Sequence, residues 1–173
     1  MLYGAPAVGK RTVGMALSGW TGWKLHHDHM AADLAVALFA FDDPRFLALR
    51  HRIHLEALDA AAAGGLPGLI FAYCVGGAWD DPFIADLIKR FGADACFTRL
   101  ECDPAEQERR VTGADRRTFR KMTDAGALQE TMQAVDFSKR IAHPAHLDLD
   151  TTGLTAAQAA QSIAGHFHLP VRH

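Results

Sequence analysis

The sequence has few cysteines, no long apolar run and no excess of charge of either sign. Its three cysteines, Cys74, Cys96 and Cys102, include no C-x-x-C pair and are an odd number for a disulfide framework, so we expect buried thiols in a reducing compartment. No apolar run reaches the roughly 18 residues of a membrane-spanning helix. Glycines and Lys10 stand where a signal peptide would be apolar. These absences predict a cytoplasmic protein without a membrane partner.

The charge balance excludes further classes of partner. With 18 basic and 20 acidic residues the net charge is −2, so no overall field draws the chain to nucleic acid or to an anionic membrane. A length of 173 residues suits one domain with its own hydrophobic core. We therefore expect a single globular domain over residues 1–173 that binds no nucleic acid, and the composition does not indicate an oligomeric state.

Short apolar runs alternate with helical patterns along the chain, which is typical of a parallel α/β sheet. Three Asp-Pro pairs, at 43–44, 81–82 and 103–104, each predict a helix start, with the aspartate as the cap and the proline in the first turn. The predicted strands are residues 2–3, 23–26, 69–75, 95–102 and 146–149. Since only three residues precede Gly4, the first strand is very short or residues are missing before it. The predicted fold is a three-layer α/β domain with five strands.

The clearest motif is a glycine-rich loop, G-A-P-A-V-G-K-R-T, between the first strand and a helical pattern. Glycines let successive backbone N–H groups and a helix N-terminus surround a phosphate. Lys10 would reach the β- and γ-phosphates of a nucleotide. The predicted nucleotide-binding residues of the loop are Gly4, Ala5, Ala7, Val8, Gly9, Lys10, Arg11 and Thr12. Arg11 separates Lys10 from Thr12, whereas the common form of the loop has its hydroxyl residue directly after the lysine.

Basic residues are concentrated in one segment, since six of the chain's 18 fall between positions 109 and 121. We predict a lid over about residues 109–125, because arginines above a nucleotide neutralise the transferring phosphoryl group and a closed lid excludes water. Arg116 and Arg120 are the predicted catalytic arginines, and Arg109 is predicted to contact the nucleotide. The alternative interpretation is a solvated basic helix face.

With this loop, the arginine-rich segment and the closing L-D-L-D-T-T-G-L-T of residues 147–155, the chain resembles the shikimate-kinase-like and adenylate-kinase-like group of P-loop kinases. Its G-K-x-T spacing is similar to that of the adenylate-kinase-like branch, in which the second hydroxyl contacts phosphate. The resemblance implies a five-stranded parallel sheet in order 2-3-1-4-5. It also implies an ATP site at the carboxyl ends of the strands and a lid. The cofactors we predict are ATP and Mg²⁺. Residues 150–153, including Thr152, would lie near the adenine.

The segment His26-His27-Asp28-His29 follows the predicted second strand, whose end faces the acceptor pocket in P-loop kinases. We predict that Asp28 orients the acceptor hydroxyl, takes its proton or holds magnesium through water. The predicted substrate contacts, within an acceptor region of about residues 27–63, are His27, His29, Asp33 and Arg50. Of these, Arg50 would bind an anionic group of the acceptor bidentately, although an ordinary surface charge is an equal interpretation. A zinc site and a polar helix N-terminus are the alternative interpretations.

Two features depart from the pattern of this group. The third predicted strand ends in Val75-Gly76-Gly77 and lacks the expected Walker-B acid; with Asp81 predicted to cap the next helix, Asp80 is the remaining magnesium candidate. True shikimate kinases carry Asp-x-Asp after the second strand, where this chain has His-Asp-His, so we expect an acceptor other than shikimate.

These patterns predict an ATP-dependent kinase that phosphorylates a small hydroxyl-bearing molecule. One alternative class is a nucleotide-binding regulator or weak NTPase without an acceptor. Another is a metal-binding protein built around the histidines. A guanine-reading N-K-x-D motif is absent from the sequence, which argues against a GTPase switch.

Overall fold

Five parallel strands form one sheet in the computed structural model, which describes residues 1–112 and 124–172. The strands are β1 (Leu2–Tyr3), β2 (Lys24–His27), β3 (Leu69–Tyr73), β4 (Phe97–Glu101) and β5 (His146–Asp150). Their order across the sheet is β2-β3-β1-β4-β5, and every pairing is parallel. The predicted fold and strand order are therefore confirmed, and the carboxyl ends of all five strands lie at one edge.

Helices connect the strands in the described residues. They are α1 (Lys10–Thr21), α2 (His29–Val36), α3 (Pro44–Ala63), α4 (Asp81–Phe91), α5 (Pro104–Val111), α6 (Ala125–Ala134) and α7 (Ala156–His166). Single turns of 3₁₀ helix at Ala78–Asp80 and Gly92–Asp94 flank α4. Each strand is thus followed by helical structure, which lets the next strand run parallel to it.

The two residues of β1 point into separate cores on opposite faces of the sheet. Leu2 packs in a cluster with Val13 of α1 and Ile163 of α7. Tyr3 packs in the other cluster, which includes Phe83 of α4. Both residues of this central strand are at most 2% exposed, so the sheet is covered by helices on both faces.

The Asp-Pro pairs start helices, although not always by the predicted cap. Asp43 and Asp103 accept hydrogen bonds from the backbone N–H groups two residues later, as predicted. The predicted cap Asp81 is wrong, because the 3₁₀ turn before α4 places Asp80 at the cap position. Asp81 is the first residue of the helix, and its carboxylate pairs with Lys139.

The described helices are short or polar by the standard of a membrane span. None of those in residues 1–112 and 124–172 is long and apolar enough to cross a bilayer. Cys74, Cys96 and Cys102 carry free thiols, and burial raises the pKa of each thiol above its usual value. The thiols are therefore protonated at neutral pH.

Gly4 lies where β1 turns into the phosphate loop, and no side chain fits there. Its φ is +138°, and a Cβ at this position would lie 2.3 Å from the carbonyl oxygen of Leu100 in β4. The obstacle is the backbone of a neighbouring strand, which cannot rotate away as a flexible side chain can. Only glycine allows the loop to pass this close to the sheet.

We expect Gly4→Ala to lower the free energy of unfolding by at least about 2 kcal/mol, because it combines a backbone clash with a disfavoured φ. The matched control is Gly19→Ala in α1, where a Cβ would meet nothing within 4 Å. That change should be neutral or stabilise by about 0.5–1 kcal/mol through helix propensity. Urea denaturation measures both, and equal stabilities of the two variants would contradict the proposed packing of the loop.

Candidate active site

A cavity of about 870 Å³ opens at the carboxyl edge of the sheet. The phosphate loop follows the central strand β1, so it divides the cavity lining into two sides. We call one the β2 side; its residues are His27, Asp28, His29, Phe41, Ala72 and Cys74. We call the other the β5 side; its residues are Glu106, Arg109, Arg110, residues 151–156 and Ala159. The middle of the lining is formed by the loop and the first turn of α1.

The phosphate loop has the backbone of an anion site. Gly9 has φ +98° and Ala7 has φ +65°, left-handed values of the kind found where successive N–H groups turn towards an anion. Lys10, Arg11 and Thr12 form the first turn of α1, and all three line the cavity. Because the first N–H groups of a helix have no partners within the helix, this end of α1 can bind an anion.

Lys10 spans the loop that precedes it. Its Nζ donates hydrogen bonds to the carbonyl oxygens of Gly4 at 2.7 Å and Ala5 at 2.6 Å. Both acceptors are neutral, so the ammonium charge is not compensated by these contacts. The loop therefore offers a positive charge at its centre.

Arg110 braces the loop from the β5 side. Its guanidinium donates to the hydroxyl of Thr151 at 2.9 Å and to the carbonyl oxygen of Thr151 at 2.6 Å. The Thr151 hydroxyl lies 3.0 Å from the carbonyl oxygen of Val8, and Thr151 is only 2% exposed. The sequence indicated Arg110 only as part of the basic segment, because nothing in the spacing distinguishes it from Arg109.

Arg109 and Thr152 both line the β5 side. The Arg109 side chain is largely exposed, yet its guanidinium is held by two hydrogen bonds to Glu106, at 2.5 and 2.6 Å. Hydrogen bonds from Arg109 and Arg110 lower the pKa of Glu106 to about 2, so this carboxylate is ionised at neutral pH. The Thr152 hydroxyl donates to Asp150 at 2.6 Å. Their predicted contacts with a nucleotide remain predictions.

Asp28, on the β2 side, accepts hydrogen bonds from two buried side chains. Nε and one terminal nitrogen of Arg50 donate to its two oxygens at 2.6 and 2.7 Å, and His54 Nε2 donates at 3.1 Å. Since an ionised carboxylate can only accept, His54 carries its proton on Nε2. Its Nδ1 then accepts from His26 Nε2, which lies 2.8 Å away. The order of donation is therefore fixed from His26 through His54 to Asp28.

The charges of this group follow from burial and pairing. Burial alone would raise the pKa of Asp28, but the hydrogen bond from His54 and the charge and hydrogen bonds of Arg50 hold it well below its usual value. Burial would lower the pKa of Arg50, and the carboxylate of Asp28 raises it instead. Burial, with the neighbouring His54 and His27, lowers the pKa of His26 to about 4. At neutral pH the group holds one ion pair and a neutral His26.

The predicted substrate residues separate into two pairs. His27 and His29 line the cavity, with ring centroids 6.1 Å apart. Arg50 is 8% exposed and does not line it, and its guanidinium lies over the ring of Tyr73 and binds Asp28. Asp33 is exposed on α2, outside the lining. The geometry therefore supports substrate contact for the two histidines and not for Arg50 or Asp33.

Asp80 is buried, and its carboxylate contacts groups of the protein itself. It is 1% exposed and accepts from the Tyr73 hydroxyl at 2.7 Å and from the backbone N–H of Gly76 at 2.7 Å, while His51 Nε2 lies 2.9 Å away. It does not line the cavity, so its placement does not support the predicted magnesium role. Cys74 follows β3 instead, with its sulfur 3.5 Å from the carbonyl oxygen of Gly4.

The histidine-rich segment does not form a zinc site in the described part of the chain. No group of three or more His, Cys, Asp or Glu residues there could hold a metal ion. The reason is the alternation of β2, which turns His26 towards His54 while His27 lines the cavity. The predicted catalytic residues Arg116 and Arg120, with most of the predicted lid, lie outside the described residues.

Comparisons with known proteins identify the fold. No family model and no curated protein matches the chain by sequence. A sugar kinase from a Janibacter species is similar in structure, with a TM-score of 0.68 at 15% identity over 97% of this chain and 92% of that one. The tunicamycin resistance protein of Deinococcus radiodurans gives a TM-score of 0.65 at 17% identity over 100% and 97% of the two chains. A shikimate kinase from Acinetobacter baumannii, in complex with shikimate, gives 0.61 at 19% over 96% and 90%.

These likenesses extend over nearly the whole of each chain. The protein therefore has the fold of the P-loop small-molecule kinases, as its motifs predicted. At identities below 20% the likeness is one of fold, and the chemistry must be argued from the cavity itself.

Replacing Asp28 by asparagine should destabilise the protein by about 3–5 kcal/mol at neutral pH, because it leaves Arg50 buried without a counter-charge. The folded pKa of Asp28 is depressed, so the stabilisation is present above the unfolded value of about 3.9 and is lost as the pH falls through the folded pKa. The deficit of the variant should therefore shrink below about pH 4.

Urea denaturation at a series of pH values measures this deficit, with Glu56→Gln as the control that removes the same charge from the exposed surface of α3. A deficit that stays constant into the acid range would show that Asp28 does not contribute through its charge.

Proposed function

We propose that the protein is an ATP-dependent phosphotransferase that phosphorylates a hydroxyl group of a small molecule. The observation that carries this proposal is that the phosphate loop with Lys10 and the ionised carboxylate of Asp28 line one cavity. A kinase needs both features together, because the phosphoryl donor and the acceptor must be held side by side.

The triphosphate would occupy the loop and the N-terminus of α1, where Lys10 supplies the positive charge. The base would lie on the β5 side, between Arg109 and residues 151–155. Two hydrogen bonds to Glu106 fix the orientation of the planar Arg109 guanidinium, and such a group stacks well against a planar base.

Mg²⁺ fits the donor set of this cavity. The Thr12 hydroxyl and the Asp28 carboxylate are oxygen donors that line it, and Mg²⁺ is bound through one or two such groups together with phosphates and water. When bound, Mg²⁺ would neutralise charge on the phosphates. The described residues contain no cluster that could enclose a metal ion by themselves, which agrees with this mode of binding.

Asp28 would act mainly by orienting the acceptor. Its depressed pKa makes it a weak base, so it holds a hydroxyl by accepting a hydrogen bond more readily than it removes the proton. Phosphoryl transfer passes through a loose transition state, for which positioning and electrostatics contribute more than strong base catalysis. His27 and His29 would contact the same acceptor from the β2 side.

A nucleotide-binding protein without an acceptor is the second candidate. It is favoured by the end of β3, where Cys74 lines the cavity and no carboxylate of the described residues follows the strand into it. Such a protein would bind ATP and release ADP at a rate that does not depend on added hydroxyl compounds.

A cytoplasmic setting suits the proposed reaction, since ATP, Mg²⁺ and reduced thiols occur together there. The net charge of −2 supplies no attraction to nucleic acid or to anionic lipid. A small-molecule acceptor is therefore the partner we propose.

The test is ADP release from Mg·ATP in the presence of pools of small hydroxyl compounds. We expect release that depends on one pool, with a loss of at least about 100-fold in Lys10→Ala, because the charge on the transferring phosphoryl group is then uncompensated. Lys24→Ala is the matched control, since Lys24 is exposed at the start of β2 and does not line the cavity.

ADP release that is the same with and without every pool would favour the second candidate. Release that persists in Lys10→Ala would contradict both, because both place the nucleotide phosphates on this loop.

A further inference from the structure

A pocket that binds an acid needs a cation that is free to pair with it. At the β2 side of the cavity, the cation Arg50 is instead paired with Asp28. Arg50 donates from two nitrogens to both oxygens of Asp28, and its guanidinium lies 4.3 Å from the ring centroid of Tyr73. Arg50 is buried and outside the lining, whereas Asp28 lines the cavity. The carboxylate therefore faces the ligand and the guanidinium lies behind it.

The lysines and arginines of the described lining lie elsewhere. Lys10 and Arg11 belong to the start of α1, while Arg109 and Arg110 belong to the β5 side. Within residues 1–112 and 124–172, the β2 side contributes no lysine or arginine to the lining. It presents a carboxylate, two imidazoles, a thiol and the ring of Phe41.

Asp28 keeps room for one more donor. A carboxylate has about four acceptor positions, and hydrogen bonds from Arg50 and His54 fill three of them among the described residues. The side chain is still 18% exposed. A hydroxyl or ammonium group can donate to the remaining position, whereas a carboxylate or phosphate cannot.

Phe41 supplies an apolar surface beside this acceptor position. Its ring is 79% exposed and lines the cavity, and it packs against the buried Phe46 with centroids 4.9 Å apart. A ring anchored in this way can cover the apolar face of a sugar-like ring.

We propose that the acceptor is a hydroxyl-rich compound without negative charge, such as a neutral or amino sugar, and that the Asp28–Arg50 pair excludes acidic acceptors. An acid could reach Arg50 only by displacing Asp28, which would leave a buried carboxylate without its partner. This inference rests on the proposed function, since it names the substrate class of the same cavity.

The first test divides the hydroxyl compounds into three pools, neutral, amine-bearing and acidic, and measures acceptor-dependent ADP release. We expect activity in the neutral or amine-bearing pool. An acidic acceptor whose kcat/KM equals or exceeds those of its neutral and amino analogues would overturn the inference and leave the proposed function intact.

The second test measures binding and does not require turnover. Protein loaded with a non-hydrolysable ATP analogue and Mg²⁺, so that the phosphate loop is filled, is titrated with gluconate in a calorimeter. We expect a dissociation constant above about 10 mM for the unchanged protein and binding at least about tenfold tighter for Asp28→Ala, in which no carboxylate stands between Arg50 and the ligand.

The control is the double variant Asp28→Ala with Arg50→Met, which removes both charges and should bind gluconate no better than the unchanged protein. Tight gluconate binding by the unchanged protein, or an equal gain in the double variant, would overturn the inference. If Asp28→Ala does not fold, the unchanged protein decides alone, because submillimolar binding of gluconate contradicts an acid-excluding pocket. If no compound in any pool is phosphorylated, the proposed function is wrong. The titrations still show whether the pocket excludes acids.

Discussion

The pairing of β1 with both β3 and β4 determines where the phosphate loop lies, and with it the two sides of the cavity. This strand has two residues, yet it is central in the sheet and buried on both faces. The phosphate loop therefore emerges over the middle of the sheet edge, against the backbone of Leu100. Side chains that follow β2 and those that follow β5 consequently lie on opposite sides of the loop within one cavity, as the proposed reaction requires.

The Asp28–Arg50 pair is a buried ion pair, and such a pair is weak evidence for stability. Desolvation of both groups offsets much of their attraction, and well-packed apolar residues often serve as well or better. Here Tyr73 stacks on the guanidinium, and His54 and His26 fix the carboxylate from the other side. This arrangement keeps Asp28 ionised at the cavity wall, as its proposed role in orienting a hydroxyl requires.

Local sequence signals predicted the strands, the phosphate loop and two of the three helix caps, because apolar runs, glycines and Asp-Pro pairs act over a few residues. The partners of Arg50 and Asp80 could not be predicted in this way. Arg50 and Arg52 are two positions apart in α3, and only the packing of the helix buries the first and exposes the second. A single 3₁₀ turn moves the cap position of α4 from Asp81, where we expected it, to Asp80. The role of residues 116 and 120 stays a prediction.

Because no carboxylate of the described residues follows β3 into the cavity, few acidic groups remain for the acceptor and the magnesium. With Cys74 at the cavity wall, the described lining contains two carboxylates, and Glu106 is held by two arginines on the β5 side. Both the acceptor and the magnesium would then depend on Asp28, which has one acceptor position left among its described contacts. One position cannot serve a hydroxyl and a metal-bound water at once. If the acceptor hydroxyl occupies it, the Thr12 hydroxyl would be the remaining protein group for the metal, beside phosphates and water. The described residues would then offer no substitute for the acid that other P-loop proteins place after β3.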